Sequence, residues 1–326
     1  MSTPVRTKFE LKTGAATREA FGKALLELGR ENPNVVVCDA DLSKSTFTHL
    51  FAKEFPDRFF ECGIAEANMV AIGAGLAMSG KLCFVSSFSC FVMNKGFEQL
   101  RVTAAFPQVP LKVVGTHSGI SIGEDGPSQM SIEDLSLACA LPGFAVISPA
   151  DEVAMRALVR AAAAYPGPVF LRAGRIKAPV IYGPQQRFEI GRGIELVDGG
   201  DVTLAAHGLM VAEAIRAQEI LEAEGVSARV LDLHTVKPLD RDAVSRAAAD
   251  TGAIVVAEEH LVDSGLGVRV AQAVTETHPC VVEYVGIRET YAESGTPEGL
   301  LEKYGLVARE VAAAARRALA RKRARS

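Results

Sequence analysis

Short apolar segments alternate with helical patterns along most of this chain. The apolar segments are typical of strands that are buried on both faces of a parallel sheet. In the first half, the predicted strands span residues 35–38, 82–85, 111–114, 144–147 and 169–171, and the predicted helices span residues 17–29, 65–78, 91–104, 131–140 and 151–164. This order of elements predicts an α/β fold, in which helices cover a mostly parallel sheet.

The alternation stops at residues 178–201, which contain two prolines, five glycines and no helical stripe. It resumes with predicted strands at 202–206, 228–231, 253–257 and 281–285, separated by helices at about 210–224, 240–250, 265–277 and 306–322. A length of 326 residues is compatible with two domains. We therefore expect a first α/β domain over residues 14–177, a linker over 178–201 and a smaller α/β domain over 202–326.

Composition and charge exclude several classes of protein. The chain is 48% hydrophobic and 23% charged, which is typical of a globular protein. No apolar run approaches the ~20 residues that a membrane helix needs, and the N-terminus has no apolar signal core, so we expect a cytoplasmic protein. A net charge of −4 does not favour nucleic-acid binding. The six cysteines form no CxxC pair and no zinc-site spacing, which indicates free thiols and no metal site.

Several polar groups are candidates for chemistry. Glu66 is the isolated carboxylate of CGIAEANMVAIGAGLAM, and it either opposes a helix dipole or exchanges a proton in an apolar pocket. The stretch GTHSGISIGEDGPSQ (115–129) follows a predicted strand end, where α/β folds bind ligands, although it could also be a solvated loop. Phe88 and Phe91 are either core residues or a wall for a flat heterocycle. Arg172 and Arg175 follow another strand and suit either a phosphate or surface ion pairs.

Together these stretches resemble the C-terminal half of transketolase. The similarity runs from near Thr17 to near Leu306 through TREAFGKALLELGRENPNVVVCDADLS, FAKEFPDRFFECGIAEANMVAIGAGLA, GTHSGISIGEDGPSQMSIEDLSL, LDLHTVKPLD, EEH and ESGTPEGLLEKYGL. The resemblance implies a pyrimidine-binding domain followed by the transketolase C-terminal domain, with thiamine diphosphate as the cofactor. It also implies transfer of a two-carbon ketol unit between a ketose phosphate and an aldose phosphate, such as the pentose phosphates.

The resemblance also assigns cofactor-binding residues. Glu66 matches the glutamate that touches N1′ of the aminopyrimidine ring of thiamine diphosphate. In the family this contact favours the tautomer of the cofactor that removes its own C2 proton. Glu66 is therefore the expected catalytic residue. Phe88 and Phe91 match the aromatic residues that line the pyrimidine. Asn94 stands where many members have a tyrosine.

The substrate-binding assignments concern an anionic sugar. Arg18, Ser45, His117 and Arg175 match positions that hold the sugar phosphate, which binds best to several charge-assisted donors. Asp125 matches the residue that contacts a donor hydroxyl. Gln129 matches a position that is histidine in many members and glutamine in animal-type members.

One segment of the family is missing from the chain. Transketolases bind the diphosphate and its metal through a GDG motif followed by an Asn, and the sequence contains no such segment. The resemblance therefore implies a split transketolase, in which an N-terminal partner subunit binds the diphosphate with Mg2+ or Ca2+. A two-fold α2β2 heterotetramer is the simplest closed assembly.

Two kinds of alternative remain. The β subunit of a 2-oxo acid dehydrogenase has the same length and domains and an equivalent glutamate, but a 2-oxo acid has no use for a phosphate site. A deoxyxylulose-phosphate synthase half fits the THSG and PSQ stretches less well. From another class, a non-catalytic subunit that has kept the fold remains open.

Overall fold

The computed structural model describes residues 9–324. The last two residues of the predicted second domain lie outside this range. The strands are β1 (Thr13–Ala16), β2 (Val35–Asp39), β3 (Phe59–Glu61), β4 (Leu82–Phe88), β5 (Lys112–Thr116), β6 (Ala145–Ile147), β7 (Val169–Arg172), β8 (Lys177–Pro179), β9 (Ile194–Val197), β10 (Val202–Ala206), β11 (Ala228–Asp232), β12 (Thr235–Lys237), β13 (Ala253–Leu261) and β14 (Val281–Ile287).

Most helices lie between these strands, and the last two follow β14. They are α1 (Thr17–Glu31), α2 (Ser43–Thr46), α3 (His49–Glu54), α4 (Glu66–Met78), α5 (Ser89–Lys95), α6 (Phe97–Gln99), α7 (Asp134–Ala140), α8 (Glu152–Ala164), α9 (Met210–Ala223), α10 (Arg241–Thr251), α11 (Leu266–Glu276), α12 (Pro297–Lys303) and α13 (Ala308–Arg323). A 3-10 turn at Pro56–Arg58 and a π-helical turn at Leu100–Ala105 complete the set.

Two mostly parallel sheets confirm the predicted α/β fold. The larger sheet has the order β12-β6-β7-β5-β4-β2-β3, and only β12 is antiparallel to its neighbour. The smaller sheet has the order β14-β13-β10-β11-β9, and only β9 is antiparallel. β1 and β8 form a separate antiparallel pair.

Two apolar clusters cover opposite faces of the sheets. Along β2, Val35 and Val37 belong to one cluster, whereas Val36 and Cys38 belong to the other. This division follows from the alternation of side chains along a strand. Each cluster contains residues from both halves of the chain, so the two domains share a continuous core.

The short strands β1, β3 and β8 and the short helices α2, α3 and α12 were not predicted. Three further differences concern the longer elements and the linker. The predicted helix 91–104 is divided at Gly96, where an added Cβ would lie 2.6 Å from the carbonyl oxygen of Val92. The predicted linker contains β9, which pairs with β11. β12 comes from the second half of the sequence but extends the sheet of the first.

Candidate functional site

The predicted site residues follow the carboxyl ends of neighbouring strands in the larger sheet. Ser45 lies after β2, Glu66 begins α4 after β3, Phe88 ends β4, His117 follows β5 and Arg175 follows β7. All five strands are parallel in that sheet, so these ends meet at one edge. This is the edge at which open α/β sheets bind their ligands.

Glu66 is a buried carboxylate with long hydrogen bonds. It is 1% exposed and lies in the first turn of α4, where the helix dipole favours a negative charge. Ser87 Oγ lies 3.4 Å from Oε1, and Lys95 Nζ lies 3.3 Å from Oε2. Because both contacts are long, a ligand with a better-placed donor could replace them.

Lys95 connects this carboxylate with an aromatic ring. Its Nζ lies 4.4 Å from the centroid of the Phe91 ring, and its side chain is half exposed. Lys95 is not among the site residues predicted from the sequence. Its position four residues after Phe91 on α5 is a usable signal, since residues at that spacing share a helix face.

Phe88 and Phe91 form an aromatic surface that continues to His117. The two phenyl rings are stacked, with centroids 5.5 Å apart and an interplanar angle of 13°. The His117 ring stacks on Phe88 at 3.8 Å. Asn94 points elsewhere, because its side-chain amide donates to Glu133 at 2.9 Å.

His117 is a neutral ring that makes hydrogen bonds through both of its nitrogens. Its Nε2 lies 2.8 Å from Nη1 of Arg18, and its Nδ1 lies 2.8 Å from Oγ1 of Thr116. Since the guanidinium can only donate, Nε2 accepts and the proton is on Nδ1. Burial and the charges of Arg18 and Arg175 lower the pKa of His117 to about 3. His117 therefore orients Arg18 without carrying a charge at neutral pH.

Two guanidinium groups lie beside this histidine. Arg18 Nη1 donates to the carbonyl oxygen of Ser45 at 2.8 Å, so Ser45 contributes its backbone to this contact. Burial and the charge of Arg175 lower the pKa of Arg18. Arg175 donates to the Ile122 carbonyl oxygen and to Glu124 Oε2, the latter at 3.1 Å. These two cationic groups can bind an anion, because Glu124, the ion-pair partner of Arg175, is exposed and can be displaced.

Asp125 and Gln129 lie farther along the loop between β5 and α7, residues 117–133. Asp125 is exposed, and its negative charge favours the protonated form of Arg18. Gln129 is half-buried, its side chain accepts from Ser128 Oγ, and its carbonyl oxygen accepts from Cys90 Sγ at 3.1 Å. Within residues 9–324, no hydrogen bond joins Gln129 to the other predicted site residues.

Arg172 does not contribute to this anion site. It is 5% exposed, and its Nε donates to Asp134 Oδ2 at 2.8 Å. Its Nη2 donates to the carbonyl oxygens of Ser131 and Glu259, at 3.1 and 3.0 Å. Of the two arginines that the sequence places near a phosphate, only Arg175 faces the predicted anion site.

The cysteines, the metal-ligating side chains and the long helices remain to be described. All six cysteines are free thiols. In the described part of the chain, no group of three or more His, Cys, Asp and Glu side chains could hold a metal ion. No helix there combines the length and apolar character needed to cross a membrane.

Comparisons with known proteins agree with the resemblance. The model of the "Transketolase, pyrimidine binding domain" family matches residues 13–180, and that of the "Transketolase, C-terminal domain" family matches residues 191–311. A putative transketolase C-terminal section from Methanocaldococcus jannaschii is 41% identical, with 90% of this chain and 93% of the relative covered. A 6-deoxy-6-sulfo-D-fructose transketolase subunit from Clostridium sp. is 38% identical, with 94% and 95% covered.

Full-length and solved relatives extend this comparison. Transketolase of Homo sapiens is 37% identical over 96% of this chain but only 50% of its own length. A solved split-gene transketolase, described as an inactive β4 tetramer, is 49% identical, has a TM-score of 0.89 and is covered over 99% of its chain, with 94% of this chain covered. Both domain models and these relatives show that the chain belongs to the transketolase family.

Proposed function

We propose that this chain is the C-terminal subunit of a split transketolase that transfers a two-carbon ketol unit from a ketose phosphate to an aldose phosphate. One observation carries the proposal: a continuous series of contacts runs from the buried carboxylate to the guanidinium groups. The series passes in order through Glu66, Lys95, Phe91, Phe88, His117 and Arg18. It supports one groove with a site for a flat ring at one end and a site for an anion at the other.

The residues at the first end fit the aminopyrimidine of thiamine diphosphate. The buried Glu66 carboxylate can bind a ring nitrogen, and its long contacts with Ser87 and Lys95 can be exchanged for that bond. The stacked rings of Phe88 and Phe91 lie next to it and suit an aromatic ligand. When bound, thiamine diphosphate supplies the electron sink for the two-carbon fragment.

Each of these site residues then has a specific role. Glu66 holds or moves a proton at the ring nitrogen that it binds, and its burial excludes water from that exchange. Phe88 and Phe91 stack on the ring and fix its orientation. Arg18 and Arg175 bind the anionic end of the sugar, His117 orients Arg18, and Asp125 accepts from a sugar hydroxyl.

The anion site supports a phosphorylated or sulfonated sugar over a 2-oxo acid. Two guanidinium groups at the anion end of the groove exceed what a small 2-oxo acid needs. One relative is a subunit of an apulose-4-phosphate transketolase from Phocaeicola vulgatus, and another acts on a sulfonated sugar. Phosphate and sulfonate share a tetrahedral arrangement of anionic oxygens, so both belong to the proposed substrate class.

A partner subunit is part of the proposal. The relatives of matching length are described as a C-terminal section or as subunits, and the solved relative is an inactive assembly of β chains. We propose an N-terminal partner that carries the GDG…N segment and binds the diphosphate with Mg2+ or Ca2+. Two copies of each chain then form an α2β2 heterotetramer.

Reconstitution tests this function. The chain is purified alone and with its N-terminal partner, and ketol transfer from a ketose phosphate is followed in a coupled assay with thiamine diphosphate and Mg2+. We expect activity only with the partner. Glu66→Gln in the same complex should lower kcat by about 10²–10⁴-fold, as expected for loss of a general acid–base group, while the thermal unfolding temperature stays unchanged. Full activity of the isolated chain would contradict the split assembly, and an active Glu66→Gln complex would contradict the assigned role.

A further inference from the structure

A carboxylate of the second domain enters the loop that carries the substrate residues. Glu259 lies on β13 and is 5% exposed. Its Oε1 accepts a hydrogen bond of 2.7 Å from the backbone N–H of Ser121, in the loop between β5 and α7. The two residues are 138 positions apart in the sequence, so this bond ties the domains together at the site.

The loop is shaped around this carboxylate. Gly119 has a φ of +81°, which strongly favours glycine. A Cβ at Gly119 would lie 2.2 Å from the Glu259 carboxyl carbon. The backbone at Gly119 therefore lies closer to the Glu259 carboxylate than a residue with a side chain would permit.

Glu259 is itself held in place. Its carbonyl oxygen accepts from Arg172, which is fixed in turn by the buried ion pair with Asp134. Next along β13, the N–H of Leu261 donates to the carbonyl oxygen of Ile132, at the far end of the same loop. The carboxylate is thus presented from a rigid strand.

The contact is directly connected with the anion site. Ser121 donates its N–H to Glu259, and the adjacent Ile122 gives its carbonyl oxygen to Arg175. One short stretch of loop is therefore held from the second domain on one side and bonded to a substrate-binding arginine on the other. If the bond to Glu259 is lost, the loop can move and Arg175 loses its position.

We propose that Glu259 is a positioning residue, which fixes the loop between β5 and α7 so that Arg175 and His117 are arranged for the anionic end of the sugar. This assignment rests on the proposed function of that site. It gives the second domain a defined part in substrate binding although its side chains stay outside the anion site.

Two substitutions distinguish the effect of the side-chain length of Glu259 from the effect of its charge. Glu259→Gln keeps the length and an oxygen acceptor but removes the charge, whereas Glu259→Asp keeps the charge but shortens the side chain. In the complex with the N-terminal partner, we expect Glu259→Asp to raise KM for phosphorylated sugars by about 5–30-fold, the effect of losing one hydrogen bond. Its kcat and its KM for hydroxypyruvate, which has no phosphate, should stay within about twofold. Glu259→Gln should remain close to the wild type.

Ser264→Ala is the matched control, because Ser264 also bonds across the domains, to Ser136 at 2.6 Å, but does not touch the loop. Its KM values should not change. The proposal is overturned if Glu259→Asp raises KM equally for both substrate types, or if Glu259→Gln is affected as strongly as Glu259→Asp.

Hydrogen exchange measures the mobility of the loop without depending on enzyme activity. In the full chain, peptides covering residues 117–126 should exchange faster in Glu259→Asp than in Glu259→Gln or Ser264→Ala. Inorganic phosphate should protect these peptides less in Glu259→Asp than in the wild type. If the wild-type complex transfers no ketol unit, the proposed function fails, while the exchange data still decide whether Glu259 positions the loop. Unchanged exchange in Glu259→Asp would overturn the positioning role.

Discussion

Arg172 is the last residue of β7 and Arg175 follows it, but the two arginines have different surroundings. Arg172 is buried beside Asp134, and removing one partner of such a pair would leave the other charge uncompensated. Arg175 is about one-third exposed and its carboxylate partner, Glu124, is largely exposed. An anionic ligand can therefore compete with Glu124 for Arg175, whereas Asp134 and Arg172 stay together.

We expect Arg175→Ala to weaken binding of phosphorylated donors and not of hydroxypyruvate. A lost hydrogen bond to a charged group is worth about 1.5–3 kcal/mol, or about 10–150-fold in kcat/KM. Glu124→Gln is the control, because it removes the other partner of the same ion pair. It should keep or lower the KM for phosphorylated donors, since a competing carboxylate is gone. Equal losses for both donor types in Arg175→Ala would indicate a structural role.

The sequence pattern identifies residues that follow strand ends as candidates for the site. Arg18, Ser45, His117 and Arg175 lie close together, and their roles in binding stay predictions. The contribution of Glu259 could not be predicted, because it depends on a bond between positions 138 residues apart. A linear pattern contains no information on such a contact.

The segment between the domains is tied down at several points rather than being a free linker. The N–H groups of Ile181 and Tyr182 donate to Asp151 at 2.7 and 2.9 Å, and the Tyr182 hydroxyl donates to Asp232. The structure has no helix within residues 178–201, whose glycine and proline content predicts a break in the alternation. It did not reveal β9, since four residues paired at a sheet edge give too short a pattern.

Asp232 should make the stability of this region dependent on pH. Burial raises the pKa of Asp232 to about 7, against about 3.9 in an unfolded chain. Between these values the folded state binds more protons than the unfolded state, so its contribution to the free energy of unfolding falls as the pH rises. For one group this fall is at most about 1.4 kcal/mol per pH unit.

Asp232→Asn removes the titrating group and keeps an oxygen acceptor for Tyr182. We expect the free energy of unfolding of the variant, relative to wild type, to rise between about pH 4 and pH 7. Urea unfolding at several pH values measures this difference. The exposed Asp263→Asn is the control and should follow the wild-type slope. Parallel curves for Asp232→Asn and wild type would show that Asp232 is not protonated in the folded chain.

The two domains form one body with the site at its edge. They share both apolar clusters, and β12 of the second half completes the sheet of the first. Large apolar side chains are exposed before α4 and after the π-helical turn. Ile64, just before Glu66, is 78% exposed, and Phe106, after the π-helical turn that packs on α4, is 87% exposed. Large exposed apolar side chains on neighbouring elements are typical of an association surface.

We predict that this surface binds the N-terminal partner, and that without the partner it joins copies of the chain. Replacing Ile64 and Phe106 together by glutamate should keep the isolated chain monomeric and abolish the complex, because charged groups would be buried at the contact. Size-exclusion chromatography with light scattering measures both states. Val268→Glu is the control, since Val268 is also exposed, at 44%, but lies on α11 in the second domain. If the double variant associates like the wild type, or if Val268→Glu dissociates the complex equally, the association surface lies elsewhere.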